Sequence, residues 1–561
     1  MKKYWKMLML SVVLAVVTAA AVTPAPGNVA AAADDEVTTP PSIHADRTSV
    51  RRGGQITVTG DVYTGSDWVT LRAVDSGNTL VVFDAAKPDD NDQYRFTFAV
   101  PARTAVGDMH IYVGDGKAES PAVVTVRISG SGGSSSSGNI VGGSAPESSA
   151  PSGVEGGTAA YRPEATTGAD GRKLAAVEVS ESAVREALAQ NGGKLTIQVE
   201  SDADVVVADV RNEAIRALLA TNASADVEIG TALGAYTLPA SLIDLDKLAE
   251  TLGISADEVS IRFAIGRADE MSSAKARQTA DDIGATLVSD IIEFSVAAAT
   301  AGGGSATLDF GNTYVSRTIP LPASVNADRA TGVLYDSETG SFTFVPSVFS
   351  TQDGQTVATL KRNGNSLYAV IENTKAFQDV GDDHWGKDEI EMLASRLIVN
   401  GMTDTTFGPS ETVTRAQFAA MIVRSLGLEE AGSPSFRDIA SGEWYAGAVG
   451  AAYEAGLVSG YEDGTFRPNQ LITRQELAVL IDNALRFAGA EDEAGYADSS
   501  LDRFEDRSSI ASWAQPAVAN IAAAGIAEGR DGNRFAPSAE STRAEAAAMI
   551  HRLLKHADFI D

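Results

Sequence analysis

The chain of 561 residues contains no cysteine. Disulfides, thiolate nucleophiles, cysteine zinc sites and lipidation on an N-terminal cysteine are excluded with it. Histidine is nearly as scarce: the five are His44, His110, His384, His551 and His556. None falls between 158 and 374, and that stretch also lacks tryptophan. A histidine-based triad, a histidine zinc site and a tryptophan sugar platform are therefore excluded there. Bases are outnumbered, 44 Lys and Arg against 75 Asp and Glu, for a formal net charge of −31. A field of that sign opposes non-specific nucleic-acid binding, which needs a basic footprint. No Gly-x-Ser-x-Gly elbow and no phosphate loop is found. Long apolar runs are few. One, Leu8 to Val22, follows Lys2, Lys3 and Lys6 and precedes the small residues Ala31-Ala32-Ala33. It is shorter than a bilayer span, so residues 1–33 are expected to be a secretory signal peptide, leaving no membrane span in the mature chain.

What is present divides the chain into modules. Residues 40–128 alternate apolar and polar positions between turn signals, as in Gln55-Ile56-Thr57-Val58-Thr59 and Tyr94-Arg95-Phe96-Thr97-Phe98. Short, frequent strands of this kind predict an antiparallel sandwich, and the pattern resembles the immunoglobulin-like modules of bacterial surface proteins. Residues 129–157 are rich in Gly and Ser and read as a flexible linker. Residues 158–374 read as a β-rich α+β region. Strands are expected at Lys194 to Glu200, Val259 to Ile265 and Ile291 to Ala297, among others, with helices at Ser182 to Gln190, Asn212 to Ala220 and Leu245 to Leu252. Acidic clusters such as Asp89-Asp90-Asn91-Asp92 are candidates for calcium. The spacing does not fit an EF-hand loop, and a solvated turn explains it, so no cofactor is expected.

The last third of the chain repeats itself. Trp385, Trp444 and Trp513 each precede an arginine, Arg415, Arg474 and Arg543, at one fixed spacing. Each arginine follows a threonine and opens an apolar helical stripe: Thr414-Arg415-Ala416-Gln417, Thr473-Arg474-Gln475-Glu476 and Thr542-Arg543-Ala544-Glu545. Thr with Glu or Gln three residues later is a capping box. Arginine at the first helical position is not explained by capping, because the helix dipole disfavours a cation there by ~0.3–1 kcal/mol. Three copies in that place suggest an anion site of arginine and helix N–H groups. In an acidic chain such a site must act at contact distance, since salt screens charge beyond ~8 Å.

Each repeat also carries Phe-x-Asp (Asp379, Asp438, Asp506), a glycine (Gly401, Gly460, Gly529) and Phe-x-Pro. Tyr461-Glu462-Asp463-Gly464-Thr465-Phe466-Arg467-Pro468 shows the loop most fully. These motifs resemble the S-layer homology domain, with repeats at 376–428, 435–488 and 503–556. The resemblance implies an all-α pseudo-threefold bundle and a wall-anchored surface protein of a Gram-positive bacterium. It implies binding of secondary cell-wall polysaccharide, often through a pyruvylated sugar, in grooves between repeats. Carried over, Arg415, Arg474 and Arg543 contact the ligand carboxylate, while Trp385, Trp444 and Trp513 wall the sugar. Asp379, Asp438 and Asp506 order the groove, and Gly401, Gly460 and Gly529 admit backbone N–H groups. Gln417 departs from the usual Glu, Gln475 from the usual Ala, and an acidic insertion near Glu491 to Glu493 precedes repeat three. With histidine and cysteine chemistry excluded upstream, the chain is expected not to be an enzyme, its β modules being structural or adhesive. The alternative is a wall-anchored polysaccharide or peptidoglycan hydrolase with paired carboxylates in the middle region.

Overall fold

The computed structural model describes residues 42–51, 55–61, 69–74, 80–86, 93–100, 107–114, 122–129, 151–167, 172–191, 193–300, 305–337, 339–352, 354–430, 436–490, 498–530 and 533–561. The expected signal peptide, most of the linker and the Asp89 to Asp92 cluster lie outside them. Two compact units result, Met1–Gly133 and Ser134–Asp561.

In the first unit, alternation sets the register. Ile56 and Val58 of Gln55–Asp61 face Phe98 and Phe96 of Gln93–Ala99. These strands and His44–Ala45 form one three-stranded sheet. Ser49–Arg51, Ala122–Ser129, Gly107–Gly114, Val69–Val74 and Leu80–Ala86 form a second, five-stranded sheet. Ile56, Val58 and Phe96 share one core with Leu71, Ile111 and Val126, so the two sheets pack face to face.

The second unit begins with a β body of two large sheets around a common core. Gly153–Glu155, in the stretch expected as linker, already pairs with Thr158–Tyr161. Gly156 and Gly157 take positive φ to make the turn between them. Parallel pairs join Thr158–Tyr161 to Lys194–Val199 and Lys173–Val179 to Val205–Val210. Among the described residues four α-helices decorate the body: α1 (Glu181–Gln190), α2 (Asn212–Thr221), α3 (Leu245–Leu252) and α4 (Glu270–Asp282). The first three stand where apolar periodicity placed them. Helix α4 was missed because only alanines, Ala276 and Ala280, mark its buried stripe. It covers a small separate core with Val333, Tyr335 and Ile371.

Among the described residues six α-helices follow, two per repeat: α5 (Lys387–Ser395), α6 (Arg415–Ser425), α7 (Ala446–Glu454), α8 (Arg474–Phe487), α9 (Gln515–Ala523) and α10 (Arg543–His556). Phe418, Leu477, Ile481, Ala546 and Ile550 from all three repeats enter one core. The bundle also docks on the β body. The Tyr314 hydroxyl donates to the Leu426 carbonyl at 2.7 Å, and its ring lies 4.7 Å from that of Phe559. The Ser347 amide donates to the Phe559 carbonyl at 2.8 Å. We expect Tyr314→Ala to uncouple the two parts. Calorimetry should then resolve separate transitions for β body and bundle where the parent chain melts them together.

Candidate functional site

The repeats close into a ring through their backbones. The Val413 amide donates to the Ser541 carbonyl at 3.0 Å, Ser541 to Ile472 at 3.1 Å, and Ile472 back to Val413 at 2.9 Å. Just outside this triangle the second helix of each repeat begins. Thr414, Thr473 and Thr542 cap α6, α8 and α10 with complete capping boxes. The N1 amide of each helix is spent on the next repeat: Arg415 donates to the Gln470 carbonyl at 2.9 Å, Arg474 to Ala539 at 2.9 Å, and Arg543 to Glu411 at 2.8 Å. The N2 amides go to Pro468, Pro537 and Pro409 in the same rotation. The helix starts are therefore not open to an anion, which corrects that part of the sequence expectation. Their orphan donors are satisfied by neighbouring carbonyls.

The arginine side chains follow the same rotation. Arg415, Arg474 and Arg543 are 7%, 5% and 6% exposed. Arg415 Nε donates to the Phe466 carbonyl at 3.0 Å. Arg474 donates to the Glu528 carbonyl at 2.6 Å. Arg543 donates to Phe407 at 2.8 Å and to Asn400 at 2.6 Å. Each guanidinium lies over the Phe-x-Pro phenyl ring of the next repeat: Phe466 at 4.8 Å, Phe535 at 5.3 Å and Phe407 at 4.5 Å. Carbonyl acceptors and aromatic faces stabilise cations that the helix dipole alone would repel. Burial still pushes the Arg474 and Arg543 guanidinium groups below their usual range, against the pull of Glu545 and Asp379 respectively.

The remaining sequence candidates surround these seams. Asp379 accepts the amides of Phe407 at 2.8 Å and Gly408 at 2.7 Å. Asp438 does the same for Phe466 and Arg467, and Asp506 for Phe535 and Ala536. Gly408, Arg467 and Ala536 hold φ of 72°, 58° and 57°. Two of these are not glycine, and the aspartate holds them in a left-handed backbone that L residues avoid. At Gly401 and Gly460 the requirement is close approach: a Cβ would sit 2.7 Å from the Phe377 ring and 2.3 Å from the Phe436 ring. Trp385, Trp444 and Trp513 precede α5, α7 and α9 and are 60%, 60% and 57% exposed. They are not core residues, and exposed indoles at equivalent positions suit stacking against a sugar face.

The seams are not alike electrostatically. Arg415 Nη1 lies 3.7 Å from Glu476, and Arg474 Nη1 lies 3.5 Å from Glu545. The residue at the equivalent place for Arg543 is Gln417, which accepts the Thr414 amide at 3.0 Å. Among the described residues no carboxylate lies within 4.0 Å of Arg543. The capping residue thus also decides whether the preceding repeat's arginine is neutralised. The departure at Gln417 was the sequence signal for this.

A second candidate lies in the β body. Glu293 stands half-buried on the strand Ile292–Ala299, opposite Gly266 and Leu367. Burial raises its carboxyl to about 7, opposed by Arg172 and assisted by Asp269. Arg172 donates to the Arg267 carbonyl at 3.2 Å. Arg267 pairs with Asp290 at 2.9 Å and Asp204 at 3.2 Å. Asp269 caps α4 through the Ser272 amide at 2.9 Å. Burial beside Arg172 and Asp269 therefore leaves one acid of the β body titrating far above the ordinary carboxylate range. No spacing motif announces it in the sequence, because its partners come from distant strands.

We expect Arg474→Ala to destabilise the bundle by about 3 kcal/mol, since it removes a buried charged donor from the Glu528 carbonyl and the packing over Phe535. Trp444→Ala should change stability by no more than about 0.5 kcal/mol, its side chain being exposed. Urea denaturation of the two variants checks both values.

A family model for the S-layer homology domain matches residues 376–419, 435–478 and 503–547. The chain is 40% identical over 251 residues to an amylopullulanase of Thermoanaerobacterium thermosulfurigenes, covering 44% of this chain and 13% of that protein. It is 44% identical over 212 residues to exoglucanase XynX of Acetivibrio thermocellus, covering 37% of this chain and 19% of that protein. It is 31% identical over 178 residues to an S-layer protein of Bacillus thuringiensis subsp. finitimus, covering 31% of this chain and 21% of that protein. The chain thus spans a fifth or so of these relatives' lengths at most. The expectation that the chain is not an enzyme, with structural or adhesive β modules, is overturned by the likeness to the amylopullulanase and the exoglucanase. The first of these matches is longer than the stretch 376–561, so it takes in residues outside the repeats. The expectation failed because missing histidine and cysteine exclude only their own chemistry, and carboxylates remain. The last third of the chain is made of S-layer homology domains, which place the chain at the extracellular cell-wall surface.

Proposed function

We propose that the chain is a wall-attached polysaccharide hydrolase, held by its S-layer homology domains and using carboxylates of the β body. The observation that carries this reading is the match to an amylopullulanase that runs past the repeats. Glu293 supports it. A carboxyl raised to about 7 is suited to protonate a glycosidic oxygen, because a general acid works best with a pKa near the operating pH. In this reading Glu293 is the general acid and Asp269 the second carboxylate, with Arg172 and Arg267 orienting the pair. Residues 40–128 are read as an immunoglobulin-like sandwich, supported by two sheets sharing one core.

For attachment, we infer that the ligand is an acidic, pyruvylated wall polysaccharide. The exposed Trp385, Trp444 and Trp513 would wall its sugars. Arg415, Arg474 and Arg543 would draw the carboxylate, with the loops of Asp379, Asp438, Asp506, Gly401, Gly460 and Gly529 shaping each groove. The electrostatics favour the seam between repeats three and one. Arg415 and Arg474 already face Glu476 and Glu545, whereas Arg543 faces Gln417. A ligand carboxylate there meets a cation without first displacing another anion.

Two outcomes are expected. Gln417→Glu, which rebuilds the neutralised arrangement of the other seams, should weaken pull-down by purified cell walls about tenfold at low salt without lowering Tm. Undiminished retention would remove Arg543 from the binding role. The full chain should release reducing sugar from starch, pullulan or cellulose, and Glu293→Gln should reduce that release at least about 100-fold. An inactive parent chain would overturn the hydrolase reading. The same variant has a stability signature. Between the ordinary glutamate value of 4.5 and about 7, folded Glu293 keeps a proton that the unfolded chain has released. Stability therefore falls as pH rises through that window, and Glu293→Gln should recover about 1–3 kcal/mol at pH 8 relative to pH 5.

A further inference from the structure

Where the β body meets the first repeat, a cleft of about 270 Å³ opens between the turn Ala327–Arg329, the segment 373–376 and helix α5. We propose that this cleft binds a small oxyanion, the carboxylate or phosphate group of an acidic sugar, at a site separate from the seams between repeats.

The argument begins with Arg396. It follows the last turn of α5, lines the cleft and is 5% exposed. Among the described residues its guanidinium group has no hydrogen bond and no ion pair. Its five donors open on the cleft without a protein acceptor, unlike those of Arg415 or Arg543, which meet carbonyls. Burial pushes its charge down, while Asp561 and Asp328 oppose that at longer range.

The other walls add positive charge. Arg329 and Lys375 line the cleft with Arg396, against Asp328 and Glu391. Glu391 is already held by Lys387 at 2.5 Å. Three cations therefore line the cleft beside Asp328, unpaired among the described residues, with Asp561 acting on Arg396 from further off, inside a chain whose net charge is −31. The negative end of α5 disfavours an anion, but a helix end carries only about half a charge.

The cleft is also preformed. Asn373 donates its side-chain amide to the Ser395 carbonyl at 2.9 Å, and its backbone amide donates to Arg329 at 3.2 Å. The Lys375 amide donates to Ser395 Oγ at 2.9 Å. The connecting segment is thereby pinned to both walls, so little ordering is left for a ligand to impose. The volume suits one sugar residue or a small acid rather than an oligosaccharide.

The test is calorimetric titration of the full chain with pyruvate and, separately, with inorganic phosphate. We expect saturable binding that weakens at least about tenfold in Arg396→Gln and in the rim variant Arg329→Ala with Lys375→Ala. Arg329 is exposed and Lys375 half-buried, so the rim pair keeps the test decisive if Arg396→Gln does not fold. Tighter pyruvate binding would assign a carboxylate ligand and tighter phosphate binding a phosphate ester, and either supports the site. No saturable binding of either anion, or binding that survives the rim variant, would overturn the proposal. So would binding lost in Gln417→Glu, which alters only the seams and leaves this cleft intact.

Discussion

Three backbone hydrogen bonds, passed from Val413 to Ser541 to Ile472 and back, govern the architecture of the bundle. Around them the helix-start amides run in the opposite sense, so every repeat lends its helix start to the next. The N1 and N2 amides, which an isolated helix would offer to water or to an anion, are consumed in the process. The arginine after each threonine is drawn into the same contact. It bridges to a carbonyl of the neighbouring loop and lies over its phenylalanine. What remains for the outside world is the rim, where the indoles of Trp385, Trp444 and Trp513 stand.

This arrangement resolves an electrostatic oddity. A cation at a helix N-terminus is unfavourable, yet three occur in register. The answer is that each guanidinium belongs energetically to the repeat ahead of it. There, carbonyl dipoles and an aromatic face outweigh the modest repulsion of its own helix. The cap residue three positions later then acquires a second duty. As Glu476 or Glu545 it faces the guanidinium arriving from behind, and as Gln417 it leaves that charge unmet. A symmetric fold thus carries an asymmetric potential through one atom change in one side chain.

Local order was legible in the sequence wherever the cause was local. The capping boxes at Thr414, Thr473 and Thr542 formed as written, because a cap involves four consecutive residues. The strands around Ile56 and Phe96 formed because alternation is a local record of burial. Partners across the fold were not legible. Nothing near Arg415 specifies that its acceptor is the carbonyl of Phe466, and nothing near Glu293 specifies that Asp269 and Arg172 surround it. Helix α4 escaped notice because alanines alone carry its buried face. Catalysis was not legible for a related reason: scarcity of one residue type excludes a mechanism and leaves other mechanisms open.

A ring closed by head-to-tail contacts has a consequence for its number of parts. Every repeat presents a giving surface and a receiving surface, and only the third repeat returns the chain to the first. A chain shortened to two such units would hold one unmatched surface at each end. Those surfaces are complementary to each other but too far round the circle to meet, so another molecule would supply the missing segment. Counting to three is therefore what lets this part of the chain remain self-contained, rather than becoming a link in a polymer.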